Sequence, residues 1–210
     1  MQKIKISRVL VLGSSGVVGH GVASDLINNN YFVAGTSNKK KLISKSKFFL
    51  NTTNVDFSKK NFLNKIDKLI KTHKLQAIIN CAALLPIKSS NTYRYQMNRI
   101  NNQSVVKILN LSIKNNLLFF INIGGHSIQE KLREKKLPRI QRCYVNSKSI
   151  IEKKILDKKS KTSIVSLNIL APYGYILEDT SVIPKFINKV KNGKNISIFS
   201  NGSRKQIFTF

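Results

Sequence analysis

The sequence predicts an α/β fold, a doubly wound parallel sheet followed by a small C-terminal lobe, and three observations carry that prediction. Short apolar runs rich in β-branched residues recur up to Leu170, segments of helical length and period separate them, and a glycine triplet stands at the first joint. Strands joined by helix-length crossovers run parallel, in a sheet covered on both faces. Right-handed crossovers then leave room for ligands beyond the carboxyl ends of the strands.

Each element follows in chain order. Ile6–Leu12 is an apolar run and the first strand, and Val17–Asn29 has the 3.6-residue period of a helix. Tyr31–Thr36 is the second strand, Phe48–Leu50 a short extra one, and Phe57–Thr72 the second helix. Ala77–Asn80 and Leu117–Ile123 are buried-type strands on either side of a long helical segment, Thr92–Lys114. Cys143–Lys159 is helical and Ser163–Leu170 is the last strand of the sheet. Beyond it "APYG" turns the chain, Val182–Asn192 is helical, and Ile196–Phe199 and Ile207–Phe210 are short strands. Residues 1–170 thus form a Rossmann-like domain suited to a dinucleotide, and residues 171–210 a partial lobe suited to a substrate.

Composition narrows the function classes. With 41% hydrophobic residues in a chain of 210, there is enough apolar material for one sizeable core. No apolar run approaches the length of a membrane span. The N-terminus "MQKIKISRVLVLG" enters a strand directly, without the small-residue cleavage site of an export signal. Cys81 and Cys143, with no histidine cluster nearby, indicate a reduced, cytoplasmic setting and no metal. The net charge of +28 comes mostly from lysines spread along the chain. Their runs at 38–47 and 152–163 lack interleaved aromatics, so they read as solvated faces rather than a nucleic-acid platform. A positive field still favours an anionic small substrate.

"VLVLGSSGVVGHGVASDL" places Gly13, Gly16 and Gly19 between the first strand and the first helix. Gly13 suits a tight turn, Gly16 lets backbone N–H groups approach a pyrophosphate, and Gly19 brings helix and strand together. The end of the second strand, "FVAGTSNKKK", has no acid for the ribose hydroxyls of NAD. Thr36 or Ser37 there suits a phosphate, with Lys39 or Lys40 to neutralise it, which favours NADP over NAD.

In order along the chain, this glycine motif, "VDF" at 55–57, "INCAALLP" at 79–86, "MNRINNQSVVKIL" at 97–109, "YVNSKSIIE" at 144–152 and "APYG" at 171–174 resemble the extended short-chain dehydrogenase/reductases, the NAD(P)-dependent epimerase/dehydratase family. The segment "VIPKFINKVKNGKNISIFSNGSRKQIFTF" resembles that family's substrate lobe. The resemblance implies cofactor contacts along Gly13, Ser14, Ser15, Gly16, Val17, Val18 and Gly19, and at Thr36, Ser37, Asn38 and Lys39. It also implies adenine contacts at Asp56 and Phe57, and contacts beneath the nicotinamide ribose at Cys81, Ala82 and Ala83. Asn98 takes the place of the structural asparagine, and Leu85, Gly125, His126, Ala171 and Arg204 border the substrate. A nucleotide-activated sugar is the implied substrate, and homodimerisation through the Tyr/Lys helix and a neighbour is common in that family.

Tyr144 and Lys148 are the candidate acid–base pair. Residues four apart share one helix face, and only this tyrosine of six has lysine four residues on. Chance alone supplies roughly one such pair in so lysine-rich a chain, so position decides its meaning. An ammonium beside a phenol stabilises phenolate and brings the tyrosine toward working pH. The family resemblance adds a contact from Lys148 to the nicotinamide ribose.

Departures from the family pattern are equally specific. Gly124 and Gly125 in "FINIGGHSIQE" stand where the family has serines, which leaves Ser127 as the candidate hydroxyl donor and third catalytic residue. The family's asparagine falls at Ala171 and its later arginine at Gln206, close to Arg204. The chain ends at "IFTF", where family members run on, so it is either a short form or a shortened one. The reading is therefore an NAD(P)-dependent epimerase, dehydratase or reductase for nucleotide sugars. Its alternative is a cofactor-binding sensor or scaffold without turnover.

Overall fold

A computed structural model describes residues 6–38, 51–125, 136–174 and 182–198, together with residues 201 and 209. Six parallel strands form one sheet in the order β3-β2-β1-β4-β5-β6. They are β1 (Arg8–Leu12), β2 (Phe32–Ser37), β3 (Asn51–Asn54), β4 (Ala77–Asn80), β5 (Phe119–Ile123) and β6 (Ser163–Leu167). The helices are α1 (Val17–Asn28), α2 (Phe62–Thr72), α3 (Asn91–Asn98), α4 (Val105–Lys114), α5 (Arg139–Leu156) and α6 (Val182–Lys191). Chain order reverses between β1 and β4, so the crevice of a doubly wound sheet opens there.

Strand register sorts the apolar residues onto two faces. Leu10, Ile78, Phe120 and Ile164 pair across four strands, and the first three are fully buried against Ile66, Ile108, Leu109, Ile151 and Ile155 from α2, α4 and α5. Val9, Val11, Val33 and Ala77 face the opposite way and pack with Ala23 of α1. Three helices end on a left-handed residue that turns the chain toward the next strand: Asn30, Lys74 and Asn116, with φ of 63°, 48° and 52°.

Several elements differ from expectation, among them the Tyr/Lys helix, which starts at Arg139 instead of Cys143. The extra strand is Asn51–Asn54; Phe48–Leu50 lies outside the described residues. Helix α2 starts five residues later than its apolar period suggests, because Asp56 turns the chain first. Its Oδ1 accepts from the Ser58 N–H at 2.8 Å and its carbonyl from the Lys59 N–H at 3.0 Å. The segment 92–114 is continuous helix, but Arg99–Ser104 winds as a π-helix. After β6 the chain leaves the sheet at Leu167, and Ile196–Ile198 form no strand. Of residues 207–210 only Thr209 is described, and it bridges to Pro172.

Candidate functional site

The site begins with the turn between β1 and α1. Gly13 has φ +74°, and a Cβ on it would sit 2.8 Å from the Ala82 Cα, so only glycine lets the two chain segments touch. A Cβ on Gly19 would run into the Gly13 carbonyl, which makes this glycine the contact between helix and turn. The turn is fastened to β2: Ser14 N–H donates to the Thr36 carbonyl at 2.9 Å, and Gly13 N–H to Thr36 Oγ1 at 3.3 Å. Ser15 and Ser37 hydroxyls bond at 2.7 Å. Ser14 and Thr36 are thus braces inside the fold; the Ser14 side chain is fully buried, its hydroxyl donating to the Thr36 carbonyl. No side chain caps α1, and no acid lies in its first turn, so its free N–H groups favour an anion.

A cleft of about 760 Å³ opens over these carboxyl ends. Gly13, Ser15, Gly16, Val17, Val18 and Gly19 line one side of it, with Thr36, Ser37 and Asn38 at the end of β2. Asp56 and Phe57 line it beyond β3, and Cys81, Ala82, Ala83 and Leu85 beyond β4. The turn Ala171–Gly174 and Ile183 of α6 complete the wall, with Gly174 close to Val17. Ala171 is held at φ +38°, a left-handed conformation that favours asparagine or glycine.

Asn98 does not hold the structural place expected of it. It is exposed, and its Oδ1 accepts from Asn102 at 3.3 Å. Asn101, 1% exposed, does the bracing instead: its Oδ1 accepts from the Leu84 N–H at 2.7 Å and its Nδ2 donates to the Leu84 carbonyl at 3.0 Å. Its Nδ2 also lies 3.4 Å from Ser147 Oγ on α5. This amide therefore ties the segment after β4 to the Tyr/Lys helix. The sequence marks Asn101 only as one of three asparagines in "MNRINNQSVVKIL". Tyr93, which lines the cleft and donates to the Leu85 carbonyl at 2.7 Å, has no comparable sequence mark.

Helix α5 brings Tyr144 and Lys148 to the carboxyl end of β5. Lys148 is 4% exposed, and its ammonium donates to the Ile123 carbonyl at 3.1 Å. Burial pushes its pKa down to about 8, with Cys81 opposing, and burial raises the Cys81 thiol to about 12, with Lys148 opposing. The thiol is therefore the neutral wall of the cleft in front of a buried ammonium. The Tyr144 hydroxyl rests 2.7 Å from where a Cβ on Gly125 would stand. A Cβ on Gly124 would run into the Asn168 amide, which donates to Glu152 at 2.8 Å. Both glycines thus make way for polar groups of their neighbours. Ser127, His126, Lys39 and Arg204 lie outside the described residues.

A family model, "NAD dependent epimerase/dehydratase family", matches residues 9–210. The chain belongs to this family. No curated protein matches it. Among solved structures, UDP-glucose 4-epimerase of Thermotoga maritima with UDP-glucose is 17% identical, with a TM-score of 0.76 over 96% of this chain and 68% of that one. UDP-glucose 4-epimerase of Thermus thermophilus in complex with NAD is 20% identical, with a TM-score of 0.70 over 90% of this chain and 64% of that one. WbmH of Bordetella bronchiseptica in complex with NAD+ is 17% identical, with a TM-score of 0.67 over 90% and 64%. This chain spans about two thirds of the length of these structures.

For a member of the epimerase/dehydratase family, the donor set fits a dinucleotide. The uncapped helix start and the glycine cradle suit a pyrophosphate, and the apolar strip of Val55, Phe57, Ala82 and Ala83 suits two flat rings. Asp56 lines the cleft beside these residues, its Oδ1 accepting from the Ser58 N–H. No helix among the described residues is long and apolar enough to cross a membrane.

Proposed function

We propose that this chain is an NAD(P)-dependent epimerase, dehydratase or reductase acting on a nucleotide-activated sugar, with NADP favoured over NAD. One observation supports the catalytic reading most: Tyr144 and Lys148, one helical turn apart, meet the end of β5 beside the cleft wall at Cys81. The nucleotide-sugar class is argued from the family and from the UDP-glucose epimerases that share the fold. The missing acid after β2 and the positive field favour the phosphorylated cofactor.

When bound, the cofactor supplies a hydride acceptor and donor. Tyr144 takes the proton from the substrate hydroxyl onto its Oη, and returns it when the carbonyl is reduced. Lys148, with a pKa of about 8, is mostly an ammonium at neutral pH and lowers the cost of phenolate beside it. The Ile123 carbonyl holds that ammonium in place. The third role falls to Ser127, which supplies the hydrogen bond that Gly124 and Gly125 cannot make. Tyr144→Phe keeps cofactor binding and lowers turnover by about a hundredfold or more, the range of general acid–base catalysis. Unchanged turnover in that variant, on a panel of nucleotide sugars, would remove Tyr144 from the mechanism.

A second reading, a cofactor-binding sensor or scaffold, is favoured by the two glycines that stand where hydroxyl donors are expected. Saturable NADPH binding without redox or epimerisation on the same panel supports it against the enzyme.

A further inference from the structure

A second, smaller cavity of about 510 Å³ adjoins the cofactor cleft and has a different chemistry. It is lined by Lys59, Lys60 and Lys65, by Asn38, Asn54 and Asn61, and by one carboxylate, Asp56. Asn38 and Asp56 also line the main cleft, so the two spaces share a wall at these residues. The Asp56 turn that delays α2 brings Lys59 and Lys60 into the lining, and the start of α2 follows them. Lys65, one turn into α2, is anchored by its Nζ to the Asn54 carbonyl at 3.1 Å. The Asp56 carboxylate is engaged by its own loop, where Oδ1 accepts from the Ser58 N–H.

We infer that this cavity is a phosphomonoester subsite for the adenosine end of NADP, built from the β3–α2 turn rather than from the residues after β2 alone. The inference rests on the NADP reading above. Three lysines and three asparagines line this space, so positive charge and hydrogen-bonding side chains border it on the side where the main cleft ends, a setting that suits a phosphomonoester. Lys59, Lys60 and Lys65 supply charge, and Asn38 at the junction is placed to orient the ribose that carries the phosphate.

The test titrates the full chain with NADPH and with NADH, in wild type and in the combined variant Lys59→Gln, Lys60→Gln, Lys65→Gln. These lysines are exposed, so each ion contact is modest and the three together are expected to weaken NADPH binding by about tenfold. NADH binding is expected to change less than about twofold, because long-range screening makes the general loss of charge small. Adenosine 2′,5′-bisphosphate should lose affinity in the variant as NADPH does, whereas 5′-ADP should not. Competition by inorganic phosphate alone, equal against NADPH and NADH, would make the cavity a free-phosphate site and overturn the assignment. A wild type that prefers NADPH, with the preference kept in the variant, overturns this subsite while leaving the NADP reading intact. A wild type that binds both cofactors equally, or NADH better, overturns both.

Discussion

Burial holds the Lys148 ammonium at a pKa of about 8, below its usual 10.5, so the folded chain binds this proton less tightly than the unfolded chain. Stability therefore rises with pH between about 8 and 10.5, and the penalty is fully present below 8, where both states are protonated. Its size is about 3 kcal/mol, partly offset by the bond to the Ile123 carbonyl. Cys81 acts with the opposite sign: its thiol, raised from 9 to about 12, costs stability as pH climbs through 9. The window from pH 8 to 9 thus belongs to Lys148, and denaturant melts of wild type and Lys148→Met should converge as pH rises through it. Parallel curves across that window would show that the ammonium is not desolvated. Gly125 makes a sharper geometric prediction. Gly125→Ala pushes the Tyr144 hydroxyl out of the place it now fills, so turnover should fall about tenfold or more while cofactor affinity stays within about twofold.

Among the elements, the π-helical segment Arg99–Ser104 links fold to site, because it carries Asn101 inward against Leu84 and Ser147. Asn101→Ala leaves the Leu84 N–H and carbonyl without their side-chain partner and should cost about 1–3 kcal/mol in a urea melt. It should also loosen cofactor binding, since Leu84 lines the cleft; an unchanged melt would show the bracing to be idle. The strands, helices and glycine turn were legible in the sequence because burial imposes a period on residues such as Leu10, Ile78 and Phe120. Asn101 was less legible, since four polar residues crowd positions 101–104 and only the helical winding decides which of them point inward. Helix α2 and the strand at Asn51–Asn54 were misplaced for a related reason. Phe57 is apolar and buried yet precedes its helix, packing on Phe62 at 5.4 Å, and Asn-Thr-Thr-Asn has no apolar mark of a strand. Ala171 hides its strain until φ is seen; Ala171→Gly should stabilise the chain by about 1 kcal/mol, read as a shift in the melt midpoint.

At the scale of the whole molecule, the charge of +28 and the cleft make separate claims. Charge alone attracts any polyanion, in a manner that fades steeply with salt. The cleft, by contrast, suits a dinucleotide through its glycine cradle, its apolar wall and its uncapped helix start. Oligomeric state belongs to this scale too: α3 packs on α5, and Tyr95 and Ile150 are exposed on these two helices at 65% and 43%. We propose that they meet a second copy, and Tyr95→Glu should shift a sedimenting dimer toward monomer. The central claim, a dinucleotide-dependent redox site, is tested most directly by fluorescence titration of the full chain with NADPH and NADH at moderate salt. The account predicts saturable one-site binding, tighter for NADPH, that survives added salt and is lost in Gly19→Leu, whose side chain would invade the Gly13 turn. No saturable binding of either cofactor would contradict it.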